Sequence, residues 1–186
     1  MKTRKWLMIA AMGLMLTACQ EKKQPYNIIV KKEQAPKPTK TLAIGDYVQK
    51  YHVEWLGKDY TITVAAKADS TLDKVSDGTR KYYDNRIALT IDREDGTQFL
   101  HREFTKNDFS AHVDAGYLAN SALVGIVYDK IDGDNLTFAV SVGSPDKSSD
   151  DYVPLLIKIG RTGSVSVSKD TRLDTSSADE AADEVF

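Results

Sequence analysis

Cysteine is nearly absent. Cys19 is the only one in 186 residues, which excludes a disulfide framework and any multi-cysteine metal site. Histidine is scarce too: His52, His101 and His112 show none of the close local ligand pairs of a structural zinc site. The chain contains no Gly-x-Ser-x-Gly elbow, no His-Glu-x-x-His and no glycine-rich phosphate loop, so three common catalytic and nucleotide-binding signatures are missing. No cofactor is expected. Neither sign of charge dominates, with 25 Lys+Arg against 27 Asp+Glu and a net of −2. Without a basic stripe interleaved with aromatics, no nucleic-acid partner is expected. Long hydrophobic runs are lacking as well. The uncharged run from Trp6 to Ala18 has 13 residues, or ~20 Å as a helix against a bilayer core of ~30 Å.

That short run follows Lys2, Arg4 and Lys5, the layout of an export signal rather than a membrane span. It ends in Leu16-Thr17-Ala18-Cys19, which resembles the bacterial lipobox. The resemblance implies a signal peptide over residues 1–18, cleavage before Cys19, and lipid attachment at its sulfur. One acyl chain holds a protein only marginally, so several chains would be needed for a durable anchor. Gln20 in place of Asp implies the outer membrane, facing the periplasm, with the cell surface as the alternative. The partner implied is the membrane, through the lipid.

Residues 20–40 hold three of the five prolines, with six Lys against two Glu. Proline blocks helix propagation and the charges are solvated, so residues 19–40 are expected to be a lipidated Cys and a flexible tether. Tyr26 to Val30 interrupts it as a short apolar stretch. From Asp174 to Phe186 there are five acidic residues and no basic ones. Ser177 and Glu180 have capping-box spacing, but so short a helix is marginal in water, and an acidic tail is expected.

Between tether and tail, residues 41–173 read as one β domain. Tyr47, Tyr51, Val53 and Trp55 alternate with polar residues, and Gly57-Lys58-Asp59 reads as the turn into Tyr60, Ile62 and Val64. Tyr83 to Asp92 leads to Asp95-Gly96, a hairpin signal, and Phe99 to Phe104 returns. Val124 to Tyr128 is apolar on both faces, so it is expected to be central or covered on both sides. Asp132-Gly133-Asp134-Asn135 turns it into Leu136, Phe138, Val140 and Val142. Val153 to Ile159, the turn at Gly160-Arg161-Thr162-Gly163, and Val165 with Val167 complete the series. Thr105 to Leu118 breaks the rhythm, and Asn107 is placed to cap one short helix with Phe109 and Val113 inward. The expected fold is all-β: a single antiparallel meander domain of about eight strands, as a sandwich or partly open barrel.

Few residues carry chemistry. His101, Asp108 and His112 would form a metal or general-base site if the irregular segment folds back; otherwise they are surface groups. Asp129, Asp132, Asp134 and Asn135 offer oxygen ligands at short spacing for Ca²⁺. The segment lacks the twelfth-position Glu of an EF-hand and reads more simply as a tight turn. Ser144 to Asp151 is a polar loop with the same ambiguity. Tyr47, Tyr51, Tyr60, Tyr82, Tyr83, Tyr117, Tyr128, Tyr152 and Trp55 serve either a core or the stacking of a glycan or protein partner.

The order of features resembles an uncharacterised family of Bacteroidota putative lipoproteins. The resemblance lies in the lipobox, the Tyr-rich first strand, and Leu123-Val124-Gly125-Ile126 leading to the Asp-rich turn. The Ile157-Lys158-Ile159-Gly160 strand with its Gly163 turn completes it. It implies a small lipid-anchored β domain and assigns no catalytic residue. The function expected is non-enzymatic binding of an envelope ligand or partner. The alternatives are a hydrolase or metal-dependent enzyme using His101, Asp108 and His112, and a structural subunit of an envelope assembly.

Overall fold

The alternation read in the sequence builds two four-stranded antiparallel sheets and a small third one. The structure is a computed structural model and describes residues 40–171. The signal segment, Cys19, the tether with Tyr26 to Val30, and the tail with Ser177 and Glu180 lie outside the described residues. The strands are β1 (Leu42–Ala43), β2 (Tyr47–Trp55), β3 (Lys58–Ala68), β4 (Val75–Ser76), β5 (Lys81–Tyr83), β6 (Asn85–Arg93), β7 (Gln98–Phe104), β8 (Ala122–Asp132), β9 (Asn135–Gly143), β10 (Tyr152–Gly160) and β11 (Val165–Lys169). Eight of them are the expected long strands, and three short ones are added. The first sheet runs β2-β3-β6-β7 and the second β11-β10-β9-β8. Each is a meander, and among the described residues no ladder closes them into a barrel, so the architecture is a sandwich. The third sheet, β1-β5-β4, departs from the expected pattern because β1 pairs with β5 in parallel.

The core lies between the two large sheets. Ile62 and Val64 of β3, and Ile87, Leu89 and Ile91 of β6, face Leu136, Phe138, Val140 and Val142 of β9 and Leu155, Ile157 and Ile159 of β10. Each such side chain contributes about 1.5–3 kcal/mol on leaving water. At one end Trp55, Tyr60 and Phe99 meet edge to face, an arrangement favoured by the ring quadrupoles. A second small cluster joins Ile44, Val75, Tyr82 and Ala122.

Three expectations are corrected. The β2–β3 turn is Leu56-Gly57, with Lys58 already paired to Trp55. Both turn residues have positive φ, 55° and 67°, as a type I′ turn requires. Second, β8 is neither central nor covered on both faces. It is an edge strand whose Val127 is 42% exposed. Third, Thr105, not Asn107, caps the 3₁₀ turn Lys106–Phe109, with Asp108 closing the capping box. A further helix, α1 (Ala115–Asn120), is capped by Asp114, whose Oδ1 accepts from the N–H groups of Gly116 and Tyr117. Phe109 and Val113 do point inward, as expected.

As an edge strand, β8 exposes backbone groups that must find partners. They find side chains of the first sheet and of the segments flanking it. The Tyr47 hydroxyl donates to the Ile126 carbonyl (3.0 Å) and accepts from the Ile126 N–H (2.9 Å). Asp84 Oδ1 accepts from the N–H groups of Leu123 (2.9 Å) and Asn85 (2.8 Å), and Asn85 Nδ2 donates to the Leu123 carbonyl (3.0 Å). Lys106 completes this buried cluster, donating to the Ser121 carbonyl (2.8 Å) with Asp84 Oδ2 at 3.7 Å. Burial pushes the Asp84 carboxyl above its ordinary range, outweighing the two N–H donors and Lys106.

A candidate binding cleft of polar side chains

Three segments converge beside the small sheet: the turn from β4 to β5, helix α1, and the loop from β9 to β10. Between them lies an open cleft of about 570 Å³, lined by residues including Asp77, Gly78, Tyr117, Asn120, Ser144 and Asp151. Each wall is fixed by its own hydrogen bonds. Asp77 Oδ1 accepts from the N–H groups of Thr79 and Arg80, and Asp77 Oδ2 from the Tyr82 hydroxyl (2.8 Å). These donors, the Arg80 N–H foremost, hold its carboxyl well below the usual carboxylate range. The loop is pinned at its base, where the Ser144 N–H donates to the Asp151 carbonyl (2.9 Å). A Cβ at Gly143 would collide with that same Asp151 carbonyl oxygen, so only glycine fits where the two loop ends cross. Arg80 ties the walls together, reaching both Asp77 (3.5 Å) and Asp146 (3.7 Å).

Across the cleft the Tyr117 hydroxyl donates to Asp151 Oδ1 (2.9 Å). Burial, then this bond, raises the Tyr117 phenol above its ordinary pKa, so it remains a neutral donor. Asp151 Oδ2 and the Asn120 side-chain amide have no protein partner among the described residues. The Ser144 hydroxyl accepts from the Asp146 N–H (3.2 Å) and keeps its proton to donate. Donor and acceptor capacity therefore faces the cleft from helix α1 and from the β9–β10 loop. Gly78 and Gly116 leave the walls bare of side chains beside these groups.

The residues singled out in the sequence fare differently. Tyr117 and the Ser144 to Asp151 loop enter the cleft. Asn120, Asp77 and Arg80 were missed, and the signal available for the last two was the Asp77-Gly78 turn pair. His101, Asp108 and His112 are not brought together by any hydrogen bond or shared cavity. His101 Nδ1 meets Thr90 Oγ1 (2.9 Å) on the outer face of the first sheet, and Asp108 Oδ2 accepts from the Thr105 N–H and hydroxyl. The Asp-rich segment forms the β8–β9 turn, with Lys158 on Asp132 (2.9 Å) and Arg161 on Asp134 (3.9 Å). Among the described residues no three His, Cys, Asp or Glu side chains are grouped to hold a metal ion. Trp55, Tyr60 and Tyr82 are buried. Tyr47 holds β8, Tyr51 packs against Tyr128, Lys74 lies over the Tyr83 ring, and Tyr152 is 45% exposed.

Fold and cleft together define a small all-β sandwich domain with a preformed polar recess. Residues 27–167 match the family described as Domain of unknown function (DUF4738), and the chain belongs to that family. No curated protein matches it.

Proposed function

We propose that the chain is a lipid-anchored cell-envelope protein whose β domain is a non-enzymatic binding module, taking a neutral, hydroxyl-rich ligand such as an envelope glycan in the cleft. The lipobox-like Leu16-Thr17-Ala18-Cys19 and the basic, apolar start supply the anchor and the route. One observation carries the binding role: Asp151 Oδ2, the Asn120 amide and the Ser144 hydroxyl face one recess without other protein partners for their remaining capacity. A ligand with closely spaced hydroxyls satisfies a carboxylate and an amide together. Preformed sites with a few convergent polar groups are the usual form of small-ligand recognition.

The test uses full-length protein extracted in detergent. Binding to a glycan panel is expected, weakening about tenfold or more in Asp151→Asn, since one charge-assisted hydrogen bond contributes about 1.5–3 kcal/mol, and about three- to tenfold in Asn120→Ala, where the bond lost is neutral. In cells, Cys19→Ser is expected to move the protein out of the membrane fraction. Glycan binding untouched by both cleft variants, or firm membrane association of the Cys19→Ser protein, would refute the corresponding half of the proposal.

A second reading, a structural subunit of an envelope assembly, is favoured by the outer face of the second sheet. There Val127, Ala139 and Leu156 lie in one cross-strand row, with Tyr152 on the same face. Contiguous apolar surface of this kind marks association. A stable complex recovered with wild type and lost in Val127→Lys, with no ligand found for the cleft, would favour it.

A further inference from the structure

The first sheet turns its other face to solvent, and there the side chains shrink. Ala65 of β3 lies directly opposite Ala88 of β6, and Thr63 opposite Thr90. The next row places Lys67 opposite Arg86. Two like charges facing each other across a ladder are destabilising, so the pairing needs an anion nearby. Arg86 has two: Nε donates to Asp69 Oδ2 (2.8 Å) and Nη1 to Glu103 Oε2 (3.4 Å). These fix the plane of the guanidinium and leave Nη2 without a partner among the described residues. Lys67 has no acidic partner among the described residues. The result is a groove of about 480 Å³ with a methyl floor at Ala65 and Ala88, a cationic end at Lys67 and Arg86, and Asp69, Ser70 and Glu103 at the rim.

We propose that this groove is a second binding site, separate from the cleft, for a carboxylate-bearing ligand held between the Lys67 ammonium and the Arg86 guanidinium. A guanidinium edge matches the planar geometry of a carboxylate, and the ammonium adds a point charge with freely rotating donors. The rim selects the charge of the ligand. Asp69 stays ionised because the Thr71 hydroxyl and N–H and the Arg86 bond hold its carboxyl at about 2. With Glu103 it offsets the two cations, so a second negative charge on the ligand adds no net attraction and inorganic phosphate gains nothing over a carboxylate. The body of the ligand then lies on the two alanine methyls, where a larger side chain would exclude it. A uronic acid and a peptide C-terminus share this chemistry.

Calorimetric titration of the full-length protein in detergent separates these sources. The ligands are glucuronate and N-acetyl-alanine, each beside its uncharged amide, with inorganic phosphate as the dianion. At least one carboxylate is expected to bind, about tenfold or more tighter than its amide, with affinity falling as salt rises. Lys67→Ala should reduce that affinity about tenfold, and Ala88→Leu should abolish it by filling the floor. Both positions lie outside the core, and a circular dichroism spectrum matching wild type is the check that the fold is kept. N-acetyl-alanine carries no sugar hydroxyls for the cleft, so its binding should be the same in Asp151→Asn as in wild type, which keeps this site's test independent of the cleft's. Equal affinity for carboxylate and amide, tighter binding of phosphate, unaltered binding in both groove variants, or no saturable binding of either carboxylate would each overturn the assignment.

Discussion

The bond between Tyr47 and Ile126 makes the sharpest test of how the two sheets are joined. Tyr47→Phe removes a single oxygen and leaves the ring packed against the core. That oxygen donates to the Ile126 carbonyl and accepts from the Ile126 N–H, so two backbone groups at the edge of β8 lose their partner at once. A net hydrogen bond contributes about 0.5–1.5 kcal/mol, and a buried group left unpaired costs about 1–3 kcal/mol. The site is only partly buried, so water recovers a share, and a loss of about 1.5–3 kcal/mol is expected. Urea unfolding measures it directly. At an m-value of about 1–3 kcal/mol/M, the midpoint falls by ~1 M with m unchanged. Tyr51→Phe is the matched control. Its hydroxyl donates only to the Gln49 side chain (2.9 Å), and its loss is expected to cost less than about 0.5 kcal/mol. Equal effects in the two variants would refute the claim that Tyr47 carries the edge of β8.

Asp84 gives a pH dependence of known sign. Its folded carboxyl titrates above the unfolded value of 3.8 because burial outweighs its donors. The folded state thus holds that proton more tightly, and this contribution is full below the unfolded pKa and lost as pH rises through the folded one. Asp84→Asn removes the dependence, so its stability relative to wild type should increase as pH is raised from about 3 to about 7, read from urea midpoints. A flat difference would contradict the buried ionisation. Leu56→Asn tests the β2–β3 turn. Leucine at φ 55° is strained, and a side chain in the left-handed region costs about 1–2 kcal/mol. Asn-Gly suits a type I′ turn, so a gain of about 0.5–1 kcal/mol in thermal or urea unfolding is expected, and a loss would refute the turn assignment.

Most of the fold was legible because its signals are local. Period-two alternation marked most of the long strands, a continuous apolar run marked β8, and Asp95-Gly96 and Gly163 marked two of the turns, since glycine reaches the required φ without strain. What stayed hidden was decided at long range. Val124 to Tyr128 looks like a buried strand because both faces are apolar, yet which strands end a sheet depends on pairing that no single segment records. The Asp84-Asn85 interruption within Tyr83 to Asp92 is visible as two polar residues, but their partner Leu123 lies almost forty residues on. The cleft follows the same rule. Tyr117 and the Ser144 to Asp151 loop were noticed for their residue types, while Asn120 is one amide among many until α1 places it.

The bonds that fasten β8 also hold the cleft in shape. Helix α1 ends at Asn120, and β8 begins two residues later. Between them Ser121 is held from both sides, its hydroxyl donating to the Tyr117 carbonyl (2.7 Å) and its own carbonyl accepting from Lys106. Lys106 in turn stands against Asp84, which grips the Leu123 N–H. Tyr117 and Asn120 are therefore positioned by a chain of contacts that begins at the buried carboxylate of Asp84, just before β6. A ligand entering the cleft meets groups already ordered by folding, so less conformational entropy is lost on binding. Burying Asp84 raises the energy of its ionised form, and the same burial keeps water from competing for the bonds that set the cleft wall. The buried carboxyl of Asp84 and the candidate recognition surface are thus two ends of one hydrogen-bonded structure.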